Sequence, residues 1–306
     1  MGRACFWPFC WGGVLLLAAS SASAADNAGK ASPRQRLASA RTWGYWLQAP
    51  DLNALGRAGL DLVVVDYSRT GRDEDRFTRE EIAGLRDAGT LVLAYFSVGE
   101  AETYRFYWEE EWADDPPGFM GPENPDWPGN FKVRYWKRSW WTVLKAYLDR
   151  IAEAGFDGVY LDIVDAYWFW GSQDDSLTMR ADDMVRLIGR VAKYGRKAAG
   201  RDFLVVMQNG LGIVEHASES RQRDLLASID GVGVESLFFN TTAEDAAYRI
   251  RLLARYAEHG SKLMNVEYVP AADMERYCVD ARGTGLPMLL YRADPDRMLD
   301  ELVPQK

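Results

Sequence analysis

The chain has 306 residues, of which 48% are hydrophobic, and its formal net charge is −9. This is enough for one large core or two modest ones, and the acidic balance argues against nucleic acid or an anionic membrane as the partner. The two histidines, His216 and His259, fall in polar segments with a helical pattern, which argues against a histidine metal site or a Ser-His-Asp triad.

The first 24 residues have the pattern of a secretory signal peptide. Arg3 precedes an apolar stretch that is too short to span a bilayer, and Ala22 and Ala24 supply the small residues of a cleavage site. We therefore expect export to the periplasm or the outside of the cell, without membrane insertion. Cleavage after Ala24 removes Arg3 and takes the net charge from −9 to −10. Residues 25–40 are polar and are predicted to be a disordered lead-in to a domain over 41–306.

Eight short apolar runs follow, each rich in Val, Leu, Ile or aromatic residues, as is typical of strands covered on both faces. They occupy residues 43–47, 61–67, 90–100, 158–165, 203–210, 231–239, 261–269 and 286–294. Helical patterns lie between the runs, and four of them end on a glycine just before the next run: Gly89, Gly155, Gly200 and Gly260. Shorter helices are predicted at 51–58, 216–228, 271–282 and 295–302.

Strands that alternate with helices predict βαβ units and parallel pairing. Eight such units in about 250 residues fit a single (β/α)₈ TIM barrel. The structural alternative is an open doubly wound sheet, but no Gly-rich phosphate loop follows the first strand. The segment 101–138 after the third strand is long and Trp-rich. Its many Pro and Gly residues predict an irregular lid or binding loop.

Polar side chains close nearly every predicted strand, at the end that carries the active site in such barrels. These residues are Tyr45, Asp66, Glu100, Asp162, Asp165, Gln208, Asn209, Glu235, Glu267 and Arg292. For any single residue, a helix cap or a surface acid is an equally good interpretation. Because five strands deliver carboxylates, the pattern as a whole favours a functional site.

Asp162 and Glu235 are the leading candidates for catalytic residues. Each closes an apolar strand, and neither is followed by a capping pattern. Glycoside hydrolysis requires two carboxyl groups that flank one bond. Flat aromatic side chains cover the apolar faces of sugars, and Trp108, Trp112 and Trp127 lie in polar surroundings in which that role is as plausible as packing.

The chain resembles glycoside hydrolase family 114, the exported endo-α-1,4-polygalactosaminidase-like proteins. The resemblance rests on "YFSVGEAETYRFYW", "VRYWKRSWW", "GFDGVYLDIVDAY", "QNG" and "GVGVESLFF", in family order over about residues 42–292. It implies a (β/α)₈ fold, no cofactor or metal, and cleavage of α-1,4-linked galactosamine or N-acetylgalactosamine polysaccharide. Endo action and retention of configuration are part of that expectation.

The resemblance also implies residue roles. Asp162 maps onto the nucleophile and Glu235 onto the general acid/base, so we expect a low pKa for Asp162 and a raised one for Glu235. The remaining strand-end groups become candidate substrate contacts: Tyr45, Asp66, Tyr95, Glu100, Asp165, Gln208, Asn209, Glu267 and Arg292, with Trp108 as an aromatic platform. An acidic monomer that acts on a cationic polysaccharide is expected.

Three other functions stay open at this point. A non-catalytic glycan-binding barrel would use the aromatic lid without needing the two acids. A glycosidase of another α-linkage would use the same barrel, because this fold hosts many specificities. A metal-dependent deacetylase is the weakest alternative, because it usually relies on histidine ligands.

Overall fold

The computed structural model describes residues 31–200 and 202–295. The strands are β1 (Trp43–Trp46), β2 (Leu62–Val65), β3 (Leu91–Ser97), β4 (Glu100–Glu102), β5 (Met120–Glu123), β6 (Asn130–Val133), β7 (Gly158–Asp162), β8 (Leu204–Gln208), β9 (Gly231–Glu235), β10 (Lys262–Tyr268) and β11 (Met288–Ala293). The helices are α1 (Pro33–Ser39), α2 (Leu52–Ala58), α3 (Arg79–Asp87), α4 (Arg138–Ala154), α5 (Ala166–Gly171), α6 (Leu177–Ala198), α7 (Ile213–His216), α8 (Glu219–Ser228), α9 (Ala243–Glu258) and α10 (Met274–Gly283).

The main sheet has eight strands in the order β1-β2-β3-β7-β8-β9-β10-β11, and all neighbours pair in parallel. The sheet is nearly closed on itself, since the Trp43 indole of β1 donates a 3.2 Å hydrogen bond to the Leu289 carbonyl of β11. Each of the eight predicted runs contains one of these strands. The arrangement confirms the predicted (β/α)₈ barrel.

The apolar core has two layers, because successive side chains of a strand point to opposite faces. Leu62 and Val64 of β2 pack inside the barrel with Tyr160 and Met264. Val63 and Val65 point outward, into the layer beneath the helices. The carboxyl ends of the barrel strands therefore present every second side chain to the axis, and this alternation decides which strand-end groups can meet.

The lead-in differs from the expectation of disorder. Ser32 caps α1 reciprocally with Gln35, and Leu37 of this helix is buried in the inner core layer. The Ser-x-x-Gln capping box was readable in the sequence, and it stabilises the first turn. Disorder over 25–40 is thus wrong for Pro33–Ser39. Residues 25–30, the signal peptide and most of the helix predicted at 295–302 lie outside the described residues.

The segment 101–138 is more regular than its Pro and Gly content predicts. Strands β4, β6 and β5 form a small antiparallel sheet, in which Glu100 pairs with Lys132 and Glu102 with Asn130. This sheet lies beside the carboxyl end of the barrel, because Gly99 packs directly against Ile163 and Ala166. Within the described residues, no helix combines the length and apolar character that a membrane crossing requires.

Candidate active site

Asp162 is the last residue of β7 and faces the barrel axis. Its Oδ2 accepts a 2.8 Å hydrogen bond from the Tyr95 hydroxyl, and its Oδ1 accepts one of 2.8 Å from the backbone N–H of Ile163. Burial raises the pKa of Asp162 to about 7, and the negative charge of Glu235 adds to the increase. This is the opposite of the low pKa expected from the sequence.

Glu235 is the last residue of β9 and is held at both carboxyl oxygens. Its Oε2 accepts a 2.7 Å hydrogen bond from the Asn209 amide, and its Oε1 accepts one from the Tyr268 hydroxyl. Its backbone carbonyl accepts a 2.9 Å hydrogen bond from Arg249. The side chain is therefore fixed by partners from two neighbouring segments and the backbone by a third, as an acid with one defined task requires.

Backbone strain is concentrated beside these two acids. Ile163 has a φ of 57°, Asn209 of 53° and Ser236 of 49°, all in the left-handed region that non-glycine residues rarely adopt. Each of these residues follows the end of a barrel strand directly. Strain of this kind is typical of functional sites, where the surrounding structure holds the chain in place.

A cavity of about 620 Å³ opens beside Glu235. Its lining residues come from the segments after β7, β8 and β9, and they include Asp165, Trp168, Asn209, Glu235, Asp245 and Arg249. Asp165 is exposed here, and desolvation by its concave surroundings raises the pKa of its carboxyl. The structure thus brings Glu235, Asn209 and Asp165 together on the wall of one cavity.

Tyr45 and Gln208 lie below the acids, in the barrel interior. The Tyr45 hydroxyl donates a 2.5 Å hydrogen bond to that of Tyr160, and Tyr160 in turn donates to Oε1 of Gln208. Tyr45 is 2% exposed and Gln208 is 3% exposed. The structure therefore makes these two predicted contacts part of the floor that supports Asp162 and Glu235.

Asp66 is held in an internal ion network rather than at the cavity surface. The Arg105 guanidinium lies 2.6 Å from Oδ2 of Asp66 and 2.5 Å from Oε2 of Glu102, and it is 1% exposed. Burial raises the pKa of Asp66, although Arg105 opposes the increase. Arg105 also stacks 5.5 Å above the ring of Tyr95. Arg105 lies within the segment 101–138, where no strand pattern marks it as a residue of the site.

Three further predicted contacts are buried against other partners. Glu100 is 1% exposed, and its Oε1 accepts a 2.9 Å hydrogen bond from Lys132. Glu267 is fully buried and accepts hydrogen bonds from the N–H groups of Leu237 and Phe238. Arg292 donates to the Val269 carbonyl at 2.7 Å. These groups shape the loops around the site and do not line the cavity.

The aromatic residues divide into packed and open ones. Trp108 stacks on Phe131 with ring centroids 5.3 Å apart and belongs to the packing of the small sheet. Trp168 is 52% exposed and lines the cavity, whereas Trp127 is 57% exposed and does not. None of the platforms considered from the sequence, Trp108, Trp112 and Trp127, lines the cavity; its aromatic lining includes Tyr167, Trp168 and Tyr248.

Tyr268 is another residue of the site that the pattern of strand-end acids does not mark, because its neighbour Glu267 carries the carboxylate. Residues of one strand alternate between faces, so only one of these two neighbours can face the barrel axis. The inner layer holds Met264, Val266 and Tyr268, so the alternation in β10 indicates which of the two neighbours reaches Glu235. Among the residues that the structure describes, no group of three or more His, Cys, Asp or Glu side chains is arranged to hold a metal ion.

Comparison with known proteins identifies the family. The model of Glycoside-hydrolase family GH114 matches residues 20–303. An uncharacterized protein of Methanocaldococcus jannaschii is 36% identical over 272 residues, which cover 85% of this chain and 77% of that protein. One of Thermotoga maritima is 34% identical over 233 residues, covering 74% and 70%.

Two solved structures share the fold at low sequence identity. The glycoside hydrolase domain of PelA from Pseudomonas aeruginosa has a TM-score of 0.66 at 15% identity and covers 87% of this chain and 98% of its own. Aspergillus fumigatus Ega3 in complex with galactosamine has a TM-score of 0.62 at 18% identity and covers 84% and 92%. With the family model matched over nearly the whole chain, the resemblance seen in the sequence is confirmed: the chain belongs to Glycoside-hydrolase family GH114 and is a glycoside hydrolase.

Proposed function

We propose that this enzyme cleaves α-1,4-linked galactosamine or N-acetylgalactosamine polysaccharide at internal bonds, with retention of configuration. The observation that carries the proposal is the pair Asp162 and Glu235. Both close barrel strands on the inner face, and the negative charge of Glu235 is near enough to contribute to the raised pKa of Asp162. Two carboxyl groups of this kind are what hydrolysis of a glycosidic bond requires.

In the proposed mechanism Asp162 attacks the anomeric carbon while Glu235 donates its proton to the departing oxygen. The C–O bond to the leaving sugar breaks, and a covalent sugar–Asp162 ester forms. Glu235, now a carboxylate, takes a proton from water as that water attacks the same carbon and releases Asp162. Retention follows from the two successive displacements.

This mechanism requires that Asp162 and Glu235 together carry one proton, which lies on Glu235 when the reaction begins. The charge of Glu235 is the second cause of the raised pKa of Asp162, and that charge disappears when Glu235 carries the proton that it donates. The Tyr95 hydroxyl and the Ile163 N–H stabilise the ionised form of Asp162. These contacts support Asp162 as the nucleophile and Glu235 as the acid.

The substrate class is supported by chemistry and by comparison. The solved structure of Ega3 contains galactosamine, and Ega3 has the same fold. In this chain the exposed carboxylate of Asp165 lies on the cavity wall, where it can hold the 2-ammonium of a galactosamine unit. An acidic enzyme attracts a cationic polymer over long range, so raising the ionic strength should weaken activity on deacetylated polymer.

We also propose that the enzyme is exported and acts as a monomer. The support for export is the signal-peptide pattern in the first 24 residues. A polysaccharide too large to enter a cell requires its hydrolase on the outside or in the periplasm. Detection of the processed protein, with its new N-terminus after Ala24, in the medium or periplasmic fraction would test this.

The test of the proposed activity is digestion of a panel of oligosaccharides by the purified enzyme. The panel contains α-1,4-galactosamine oligomers with and without N-acetyl groups, α-galactans and chitosan, and the products are sized by mass spectrometry. Internal cleavage confined to the galactosamine series, and absent in Glu235→Gln, supports the proposal. Cleavage of α-galactan alone would assign another linkage. The anomer first released, read by NMR, decides retention.

A further inference from the structure

We infer that the cavity beside Glu235 binds the departing end of the polysaccharide, with Trp168 as the platform for the first sugar released. The inference rests on the proposed roles of the two acids. Glu235 lines the cavity, whereas Asp162 is not among the lining residues. The cavity therefore extends from the Glu235 side of the acid pair. In the proposed mechanism Glu235 is the group that protonates the leaving oxygen.

The chemistry of the reaction assigns the two sides. The sugar whose anomeric carbon is attacked must lie over Asp162, within bonding distance of its carboxylate. The departing sugar lies on the other side of the bridging oxygen, next to the acid that protonates it. The volume of about 620 Å³ is within the usual range for ligand pockets, so the departing chain has room beside Glu235.

Trp168 has the exposure and the support of a binding platform. It is one of the few large apolar side chains that the described part of the chain leaves exposed, at 52%. The His216 ring packs 5.3 Å from the Trp168 ring, and Nδ1 of His216 lies 3.0 Å from the Tyr167 hydroxyl. Burial lowers the pKa of His216, which keeps this support uncharged at neutral pH. A fixed, open indole face suits the apolar face of a sugar ring.

Another part of the cavity lining is polar and equally fixed. Arg249 donates to the carbonyls of Glu235 and Ser236 at 2.9 and 2.7 Å and to the Thr241 hydroxyl at 2.9 Å. Its charge is paired with Asp245 at 2.8 Å. A wall of this kind offers hydrogen-bonding groups for sugar hydroxyls close to the acid. The lining therefore combines an exposed apolar face with fixed polar groups, as sugars require.

The experiment compares Trp168→Ala with Trp127→Ala on two substrates. One is a galactosamine oligomer, which fills both sides of the site; the other is the same oligomer shortened to end in an α-fluoride, whose leaving group does not reach the cavity. We expect Trp168→Ala to lower kcat/KM about tenfold or more on the oligomer and to leave fluoride hydrolysis within about twofold. Trp127→Ala, which removes an equally exposed indole outside the cavity, should leave both rates unchanged.

The other outcomes are separable. Equal losses on both substrates would place the attacked sugar in the cavity and overturn the inference, and so would an unchanged rate on both. Failure of the unmodified enzyme to cleave either substrate would instead refute the proposed function. Trp168→Phe keeps an aromatic face and should recover most of the oligomer rate, which distinguishes lost stacking from a disturbed α5.

Discussion

The Tyr95 hydroxyl donates a 2.8 Å hydrogen bond to Oδ2 of Asp162, across the pairing of β3 with β7. This bond favours the ionised carboxylate and so opposes the increase in pKa that burial causes. In Tyr95→Phe the pKa of Asp162 should rise further above 7. Because ionised Asp162 is the nucleophile, the acid limb of kcat/KM should move to higher pH by about one unit, the size expected from one hydrogen bond to a charged group.

The measurement is the pH profile of kcat/KM for both proteins, extended to alkaline pH, where the variant should approach the unmodified enzyme. Tyr135→Phe is the matched control, since the Tyr135 hydroxyl donates to the Arg180 carbonyl outside the site. An acid limb that stays in place in Tyr95→Phe would show that the ionisation of Asp162 does not set the rate.

Replacement of Asp162 should remove most of the activity and stabilise the folded protein at high pH. The folded protein holds the proton of Asp162 more tightly than the unfolded chain does, because the pKa rises from 3.8 to about 7 on folding. Stability from this group is therefore present at low pH and lost as the pH rises through this window. Asp162→Asn should cut turnover by orders of magnitude and gain about 4 kcal/mol relative to the unmodified protein between about pH 4 and pH 8.5.

Urea unfolding at both pH values measures this change. Asp73→Asn is a control of opposite sign, because the hydrogen bonds from Arg150 lower the pKa of Asp73. Its stabilising contribution is present at high pH and lost at low pH, so the variant should be weakened most at high pH. A stability difference for Asp162→Asn that does not change with pH would mean that the folded protein does not raise its pKa.

The alternation of side chains along each strand explains which part of the site the sequence could predict. Asp162 follows Tyr160 by two positions, and Tyr160 faces the barrel interior. Glu235 lies on the face opposite Val232 and Val234, which point outward. The apolar runs predict the strands, and the number of strands predicts the barrel. The acids that close these strands on the inner face could therefore be predicted as well.

The same alternation shows why other predicted contacts do not reach the cavity. Arg292 lies between Tyr291 and Ala293, which face inward, and it therefore points away from the axis. Arg105 was beyond prediction for another reason: its partner Asp66 is 39 positions away, and no local pattern links them. Long-range ion pairs of this kind depend on the finished fold.

The buried position of Arg105 makes its removal costly. In Arg105→Leu, the carboxylates of Asp66 and Glu102 stay in the interior without their cation, which should cost about 3–5 kcal/mol of unfolding free energy. Arg251→Leu is the matched control, because Arg251 pairs with Glu215 at 2.5 Å while its side chain is 59% exposed. That exposed pair should contribute far less stability, because solvent screens its two charges. Urea unfolding measures both variants. Similar losses of unfolding free energy in Arg105→Leu and Arg251→Leu would contradict the conclusion that the buried ion network stabilises the fold more than an exposed pair.

Gly233 makes room for the floor of the site. A Cβ at this position would lie 2.0 Å from the Tyr160 hydroxyl oxygen and 2.5 Å from Oε1 of Gln208. Both groups are buried and joined by a hydrogen bond, so they cannot turn away into solvent. Gly233→Ala should therefore lose about 1–3 kcal/mol of stability, the usual cost of overpacking, and most of its activity, because Tyr160 lies in the same strand as Asp162.

Gly84→Ala in α3 provides the comparison, because a Cβ there would meet no atom within 4 Å. Alanine is the better helix former, so this variant should gain about 0.5–1 kcal/mol and keep full activity. Thermal unfolding and turnover of the two variants test both statements. If Gly233→Ala were as stable and as active as Gly84→Ala, the Tyr45–Tyr160–Gln208 chain would not be the rigid support on which the positions of Asp162 and Glu235 depend.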